Sequence, residues 1–199
     1  MRRTPPSPLT GDGSEGEVKE NPVLLFARAL DFAARKHVHQ RRKGELAEPY
    51  VNHLSDVARL LAEATAGEDI AVVIAGLLHD TIEDTDTSYA ELAKEFGAEV
   101  AELVSEVTDD TSLPKTERKR LQVETAPHKS PRARMIKLAD KTSNLHSMIA
   151  SPPKDWSLER RREYIDWATE VAAGCRGVNT YLEQEFDRAR RRAKAAVKG

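Results

Sequence analysis

Residues 70–84 read IAVVIAGLLHDTIED: nine apolar residues, Ile70 to Leu78, run directly into His79, Asp80, Glu83 and Asp84. On a helix that advances roughly 100° per residue, those four polar side chains fall within an arc of about 140°. An imidazole and three carboxylates thus share one face of a segment that is otherwise apolar all round, and such a helix is normally buried. A buried carboxylate costs several kcal/mol unless it is paired, protonated or bound to a cation, so a metal ion explains the cluster most simply.

Working outward from this segment, helical periodicity recurs and strand alternation is almost absent. On the N-terminal side a helix is expected over 23–39, with Leu25, Ala29, Phe32 and Ala33 inward, then a polar connection holding Arg41, Arg42, Lys43, Gly44 and Pro49. Leu54, Val57, Leu60 and Leu61 form the face of a second helix, which Gly67 ends before Glu68 and Asp69 open the central one. On the C-terminal side Ser88 and Glu91 make a capping box for a short helix that Gly97 terminates, and Val100, Leu103, Val104 and Val107 recur with helical spacing. Further helices are expected after Pro114, from Ser130 and Pro131 to about Ile149, from Ser157 through Tyr164 and Trp167, and after Thr180. The fold class is all-α, a compact bundle of about eight helices.

Composition narrows the function. The 199 residues, 39% hydrophobic and 32% charged, suit one globular domain with a real core. A net charge of -2 offers no global attraction for nucleic acid, though a local basic cluster could hold a small anionic ligand. Cys175 is the only cysteine, which excludes internal disulfides and multi-thiolate zinc sites and favours a reducing, cytoplasmic setting. No apolar run approaches the roughly 18 residues of a membrane span. Residues 1–20, rich in Pro, Gly, Ser and Glu, read as a flexible leader ahead of a domain over 21–199, and the basic stretch 188–198 as a solvated, fraying helix end.

A mononuclear metal site needs more donors than His79 and Asp80. His53, ahead of an amphipathic helix, and Asp140, which shares a helix face with Asn144, are the strongest candidates. Two imidazoles and two carboxylates form a mixed N/O set that suits Mn²⁺, Fe²⁺ or Zn²⁺ and leaves positions open for water. A capping histidine and surface salt bridges would explain any single His–Asp pair, but not four polar donors that follow an all-apolar helix. His37, His39, His128 and His146 read as surface or core histidines. HExxH, Walker and GxGxxG motifs are all absent.

These residues resemble a known family. His53, then His79 with Asp80, then Asp140 resembles the HD superfamily of metal-dependent phosphohydrolases, and GLLHDTIEDTDT (76–87) is similar to the hydrolase domain of bacterial RelA/SpoT enzymes. EPYVNH (48–53), FGAEVAELVSEVTDD (96–110) and KLADKTSNL (137–145) extend the likeness. RKRLQVETAPHKSP (118–131) and EYIDWA (163–168) point to its stand-alone members, the small alarmone hydrolases. The resemblance covers about 27–181.

It implies that His53, His79, Asp80 and Asp140 bind one Mn²⁺ and that Glu83 and Asp84 position or deprotonate the attacking water. Spacing agrees, since Glu83 follows His79, and Asp84 follows Asp80, by one helical turn. The implied substrate is guanosine tetra- or pentaphosphate, from which 3′-pyrophosphate is released, with Arg42 and Lys43 toward guanine and phosphates and Asn144 and Tyr164 near the nucleoside. Leu54, Thr142, Ser143 and His146 depart from the family's usual residues and are expected on the pocket wall rather than at the ligands. Another phosphorylated nucleotide, such as the 2′-phosphate of NADPH or a 5′-monophosphate, would suit the same metal chemistry. A non-catalytic nucleotide-sensing or partner-binding module is the reading from a different class, and intact Glu83 and Asp84 argue against it.

Overall fold

The apolar segment becomes the centre of a helical bundle. The computed structural model describes residues 21–198, so the expected leader, 1–20, lies outside the described residues. Helices α1 (Pro22–Lys36) and α2 (Val51–Ala64) precede α3 (Ile70–Leu78), in which every residue from 71 to 78 is buried. Asp69 caps α3 by accepting from the Val72 amide, and Arg132 holds the other carboxylate oxygen at 2.7 Å. Gly76 lets α3 lie close against α2, for a Cβ there would come within 2.2 Å of Leu61 Cδ1.

After α3 come α4 (Thr81–Asp84), α5 (Tyr89–Phe96), α6 (Ala98–Val107), α7 (Lys115–Thr125) and a 3₁₀ turn, Ala126–His128. The chain ends in α8 (Pro131–Ala150), α9 (Leu158–Gly174) and α10 (Thr180–Ala196). Ten α-helices among the described residues meet the all-α expectation and exceed the expected number, partly because the helix read through 70–84 is broken. His79 and Asp80 interrupt it, leaving α4 a separate single turn. Helix α8 is the hub: it packs on α2, α3, α6, α9 and α10. Fully burying each of its large apolar side chains, such as Leu138 and Leu145, stabilises the bundle by about 2 kcal/mol.

Boundaries shift for local reasons. Helix α1 stops at Lys36 rather than His39, because His37 leaves helical geometry and turns its ring to Gln40. Only half of the expected capping box is made: Ser88 accepts from the Glu91 amide at 3.1 Å, while the Glu91 carboxylate pairs with Lys36. The stretch 188–198 is not a fraying end. Ala189, Ala193 and Val197 are buried, and Arg162 on α9 donates twice to the Val197 carbonyl, at 2.7 and 3.0 Å.

Among the described residues there is no β-strand. Two isolated antiparallel bridges, Arg41 with Pro49 and Gly44 with Pro153, pin the polar connection between α1 and α2 against the end of α8. Gly44 is required there: a Cβ would fall 2.2 Å from the Ser151 carbonyl oxygen.

Candidate active site

The break after α3 aims its two polar residues at α2 and α8. His79 is 6% exposed and donates from Nδ1 to the Gly76 carbonyl at 2.8 Å, so its Nε2 lone pair points away from its own helix. His53, from the first turn of α2, meets it with ring centroids 5.2 Å apart. Asp80 Oδ2 lies 3.1 Å from His79 Nε2 and 3.8 Å from His53 Nε2. Asp140 Oδ1, from the middle of α8, lies 3.4 and 3.8 Å from the His53 and His79 nitrogens.

His53, His79 and Asp80 bring ligand atoms within 4.8 Å of one another and could hold a divalent cation, with Asp140 beside them. Bonds of roughly 2.0–2.2 Å to N and O ligands put neighbouring donors about 3.0–3.5 Å apart, close to the separations observed. His79 Nε2 is a buried nitrogen with no hydrogen-bond partner, the kind of atom that a cation would satisfy. Burial alone would lower the His79 pKa, but the Asp80 and Asp140 carboxylates outweigh it and lift it to about 9. Burial lowers the pKa of His53 and keeps that ring neutral. Burial opposes ionisation of both aspartates, yet the facing histidines, and Lys141 beside Asp140, hold them well below the usual carboxylate range.

Each ligand candidate is held from behind, which fixes its orientation. The Tyr50 hydroxyl donates to Asp80 Oδ2 at 2.6 Å, Lys141 Nζ lies 2.9 Å from Asp140 Oδ2, and the Asn144 amide donates to Asp140 Oδ1 at 2.6 Å. Ser143 corrects the expectation that the unusual residues avoid the ligands. Its hydroxyl sits 2.9 Å from His53 Nδ1 and helps to lower the pKa of Asp56, whose carboxylate meets His146 at 3.3 Å. Leu54 is fully buried in the core, and Thr142 bonds back to the Leu138 carbonyl.

From this cluster a cleft of about 680 Å³ opens between the α1–α2 connection, α7, α8 and α9. Glu83 and Asp84 both line it. Glu83 receives Arg118 at 3.0 Å and the Asp109 amide at 3.3 Å. Burial, with the Asp109 and Asp80 carboxylates nearby, pushes its pKa up to about 6. Asp84 accepts from Gln40 at 2.7 Å. Arg42 lies over the Tyr50 ring at 5.6 Å and donates to Asn144 at 2.8 Å, so Asn144 ties the α1–α2 connection to Asp140. Lys43 is exposed at the rim. Tyr164 stands between Trp156 and Trp167, with centroids 5.5 and 5.4 Å away, and its phenol is held neutral by burial, with a pKa raised to about 12.

Sequence reading missed much of the basic lining of the cleft. Lys115 and Lys119 come from α7, Arg160 from α9, and Lys137 and Lys141 from α8. Lys119 and Lys141 flank Trp167 at 4.5 and 4.6 Å from its centroid, while Arg160 lies over Trp156 at 4.6 Å. The Lys115 pKa is lowered by burial and by repulsion from Lys43, Arg160 and Arg118, a crowding that an anionic ligand would relieve. A usable signal existed. The chain's two tryptophans, 156 and 167, both line the cleft, and Lys115 and Lys119 are one helical turn apart.

Fold and site together define a helical hydrolase class in which imidazoles and carboxylates able to hold a divalent cation lie at a cleft lined by basic and aromatic side chains. The chain belongs to the HD domain family, whose model matches residues 29–168. It is 54% identical over 78% of its length to the human guanosine-3′,5′-bis(diphosphate) 3′-pyrophosphohydrolase MESH1, covering 87% of that protein. It is 42% identical over 61% of its length to a guanosine-3′,5′-bis(diphosphate) 3′-pyrophosphohydrolase of Aquifex aeolicus, covering 17% of that longer protein. A solved structure of a metazoan orthologue of SpoT, described as hydrolysing ppGpp, superposes with a TM-score of 0.80 at 47% identity, over 84% of this chain and 94% of that one.

Proposed function

We propose that this protein hydrolyses guanosine 3′,5′-bis(diphosphate) and its pentaphosphate analogue, releasing the 3′-pyrophosphate and leaving GDP or GTP. One observation carries the reading: His53, His79, Asp80 and Asp140 converge at one end of a cleft whose far wall is crowded with lysines, arginines and aromatic rings. A substrate that carries one diphosphate to be cleaved and another to be held, on the 3′ and 5′ positions of the same ribose, needs both. The relatives named above support the choice of nucleotide.

His53, His79, Asp80 and Asp140 would hold one Mn²⁺ per chain. A bound divalent cation would polarise the scissile phosphate and acidify water. Glu83, with its pKa raised to about 6, is ionised at neutral pH and poised to take a proton from the attacking water. Asp84 orients that water. The bond between the ribose 3′ oxygen and phosphorus breaks, water supplies the new oxygen on phosphorus, and the proton that Glu83 accepts is returned to the 3′ oxygen, which leaves as a hydroxyl. Lys115, Lys119 and Arg160 offset charge on the remaining phosphates, while Arg42, Lys43, Asn144 and Tyr164 shape the nucleoside end. The fully buried Cys175 fits a reducing cytoplasm, and no helix among the described residues is long and apolar enough to cross a membrane.

The test is turnover by purified protein reconstituted with Mn²⁺, Fe²⁺, Zn²⁺ or Mg²⁺, with ppGpp, pppGpp, NADPH and 5′-mononucleotides compared by kcat/KM. GDP and pyrophosphate from ppGpp, best with Mn²⁺ and lost in Asp80→Ala and Asp140→Ala, are expected. A higher kcat/KM for NADPH or a mononucleotide would reassign the substrate, and turnover unchanged in both variants would refute the metal centre.

A further inference from the structure

His37 is a buried histidine to which the chemistry above gives no task. It ends α1, is 3% exposed, and stacks on Tyr50 with centroids 5.2 Å apart and ring planes 24° from parallel. Tyr50 is the residue whose hydroxyl grips Asp80. On its other edge, His37 Nδ1 meets the side-chain oxygen of Gln40 at 2.5 Å, and Gln40 Nε2 donates to Asp84 Oδ2 at 2.7 Å.

The chemistry of the groups fixes every direction in this chain. A glutamine oxygen only accepts, so Nδ1 of His37 carries the proton and donates to it, while Nε2 is buried without a partner. With its oxygen committed to His37, the Gln40 amide must turn its NH₂ toward Asp84. The reverse orientation would set a carbonyl oxygen against a carboxylate. The Gln40 backbone is fixed as well: its amide donates to the His37 carbonyl at 3.0 Å, and its carbonyl accepts from the Tyr50 amide at 3.1 Å. A donor anchored at both ends leaves Asp84 little rotational freedom.

We propose that His37 and Gln40 are positioning residues: together they hold Asp84 by Oδ2 so that Oδ1 is presented to the attacking water. Neither residue touches the reacting atoms. The inference rests on the water-orienting role given to Asp84 above.

The experiment combines kinetics of Mn²⁺-loaded Gln40→Leu, His37→Phe, Asp84→Ala and the Gln40→Leu/Asp84→Ala double variant with NMR of the Gln40 side-chain amide. Gln40→Leu is expected to lower kcat by roughly 10- to 100-fold with KM unchanged, the signature of misplaced machinery rather than lost binding. His37→Phe preserves the ring stack but frees the amide, so a smaller fall in kcat is expected. In the Asp84→Ala background Gln40→Leu should have no further effect. Asp84→Ala should shift the Gln40 amide resonances, and His37→Phe should shift them again. An equal loss from Gln40→Leu with and without Asp84, a change confined to KM, or amide resonances blind to Asp84→Ala would each overturn the proposal. A wild-type protein inactive on ppGpp would instead overturn the substrate reading; the NMR arm needs no turnover and still decides this one.

Discussion

The two ends of the cleft are built in opposite ways. At the metal end the candidate donors come from α2, the α3–α4 break and α8, are buried except for the half-buried Asp80, and each has a fixed partner: Ser143 for His53, Gly76 for His79, Tyr50 for Asp80, Asn144 for Asp140. At the cation end Lys115 and Lys119 project from α7, a helix with no buried residue, which is moored to α9 by the bond from Trp167 Nε1 to the Lys119 carbonyl at 3.0 Å. There burial and neighbouring cations lower the pKa of both lysines, with Glu163 offsetting part of the effect at Lys119. One end is organised before any ligand arrives; the other is completed by the ligand's charge. Chemistry sits on the rigid end and adjustable binding on the other, as a scaffold-and-loop division of labour requires.

The largest effects should therefore come from the metal end and be all-or-none. Asp140→Ala is expected to abolish turnover and to remove the stabilisation that Mn²⁺ confers on the wild type. At a free ion concentration a hundredfold above Kd, that stabilisation is about 2.7 kcal/mol, or roughly 5–11 °C in Tm for a domain of this size. Lys119→Ala should keep the whole increment. Differential scanning calorimetry with and without Mn²⁺ checks both, and an increment that survives Asp140→Ala or vanishes in Lys119→Ala would erase the distinction between the ends.

The same contrast decides what could be read from the sequence. The metal end was legible because burial leaves a mark: an unbroken apolar run from Ile70 to Leu78 makes His79 and Asp80 conspicuous, and Asp140 stands out on a helix whose other face is Met135, Leu138 and Leu145. The helix break was not, since nothing in LLHDTIED forbids a continuous helix; the turn at His79 and Asp80 follows from tertiary packing. The cation end left no such mark. In α7, KTERKRLQVET, polar residues surround the axis and resemble any solvated helix, so only the folded cleft gives Lys115 and Lys119 a direction. Ser143 was illegible for a third reason, because a hydroxyl between His53 and Asp56 depends on α2 and α8 lying side by side.

Intermediate effects belong to the cation wall and should be graded. Lys115→Ala and Arg160→Ala each remove one charged partner from a cluster of several, worth about 1.5 kcal/mol, so each is expected to raise KM roughly tenfold while leaving kcat nearly unchanged. Added salt should shrink the difference between variants and wild type, since these side chains are reached by solvent. Steady-state kinetics at two ionic strengths makes the measurement. A fall in kcat as large as that of Asp140→Ala would mean that the far wall takes part in the chemistry and is not merely a clamp.

The smallest effect, and the one that sharpens the comparison most, is a pH shift where the two ends meet. Glu83 belongs to the metal end, but its carboxylate is held by Arg118 from α7 at 3.0 Å and stands near Asp109. Burial, then Asp109 and Asp80, raise its pKa to about 6 from an ordinary 4.5. The folded state therefore holds the proton more tightly than the unfolded chain; ionised Glu83 works against stability above pH 6, and that penalty is relieved as pH falls from 6 toward 4.5. For activity the sign is opposite, because only the carboxylate can accept a proton. The acid limb of kcat/KM should lie at or below about pH 6, a bound cation pulling it down further. Arg118→Ala deletes the favourable charge and should move the limb to higher pH; Asp109→Asn deletes a like charge and should move it lower. Shifts in those opposite directions, from residues on opposite sides of one carboxylate, would show that α7 tunes the base as well as binding the phosphates. A limb that stays put in both variants would assign the proton to another group.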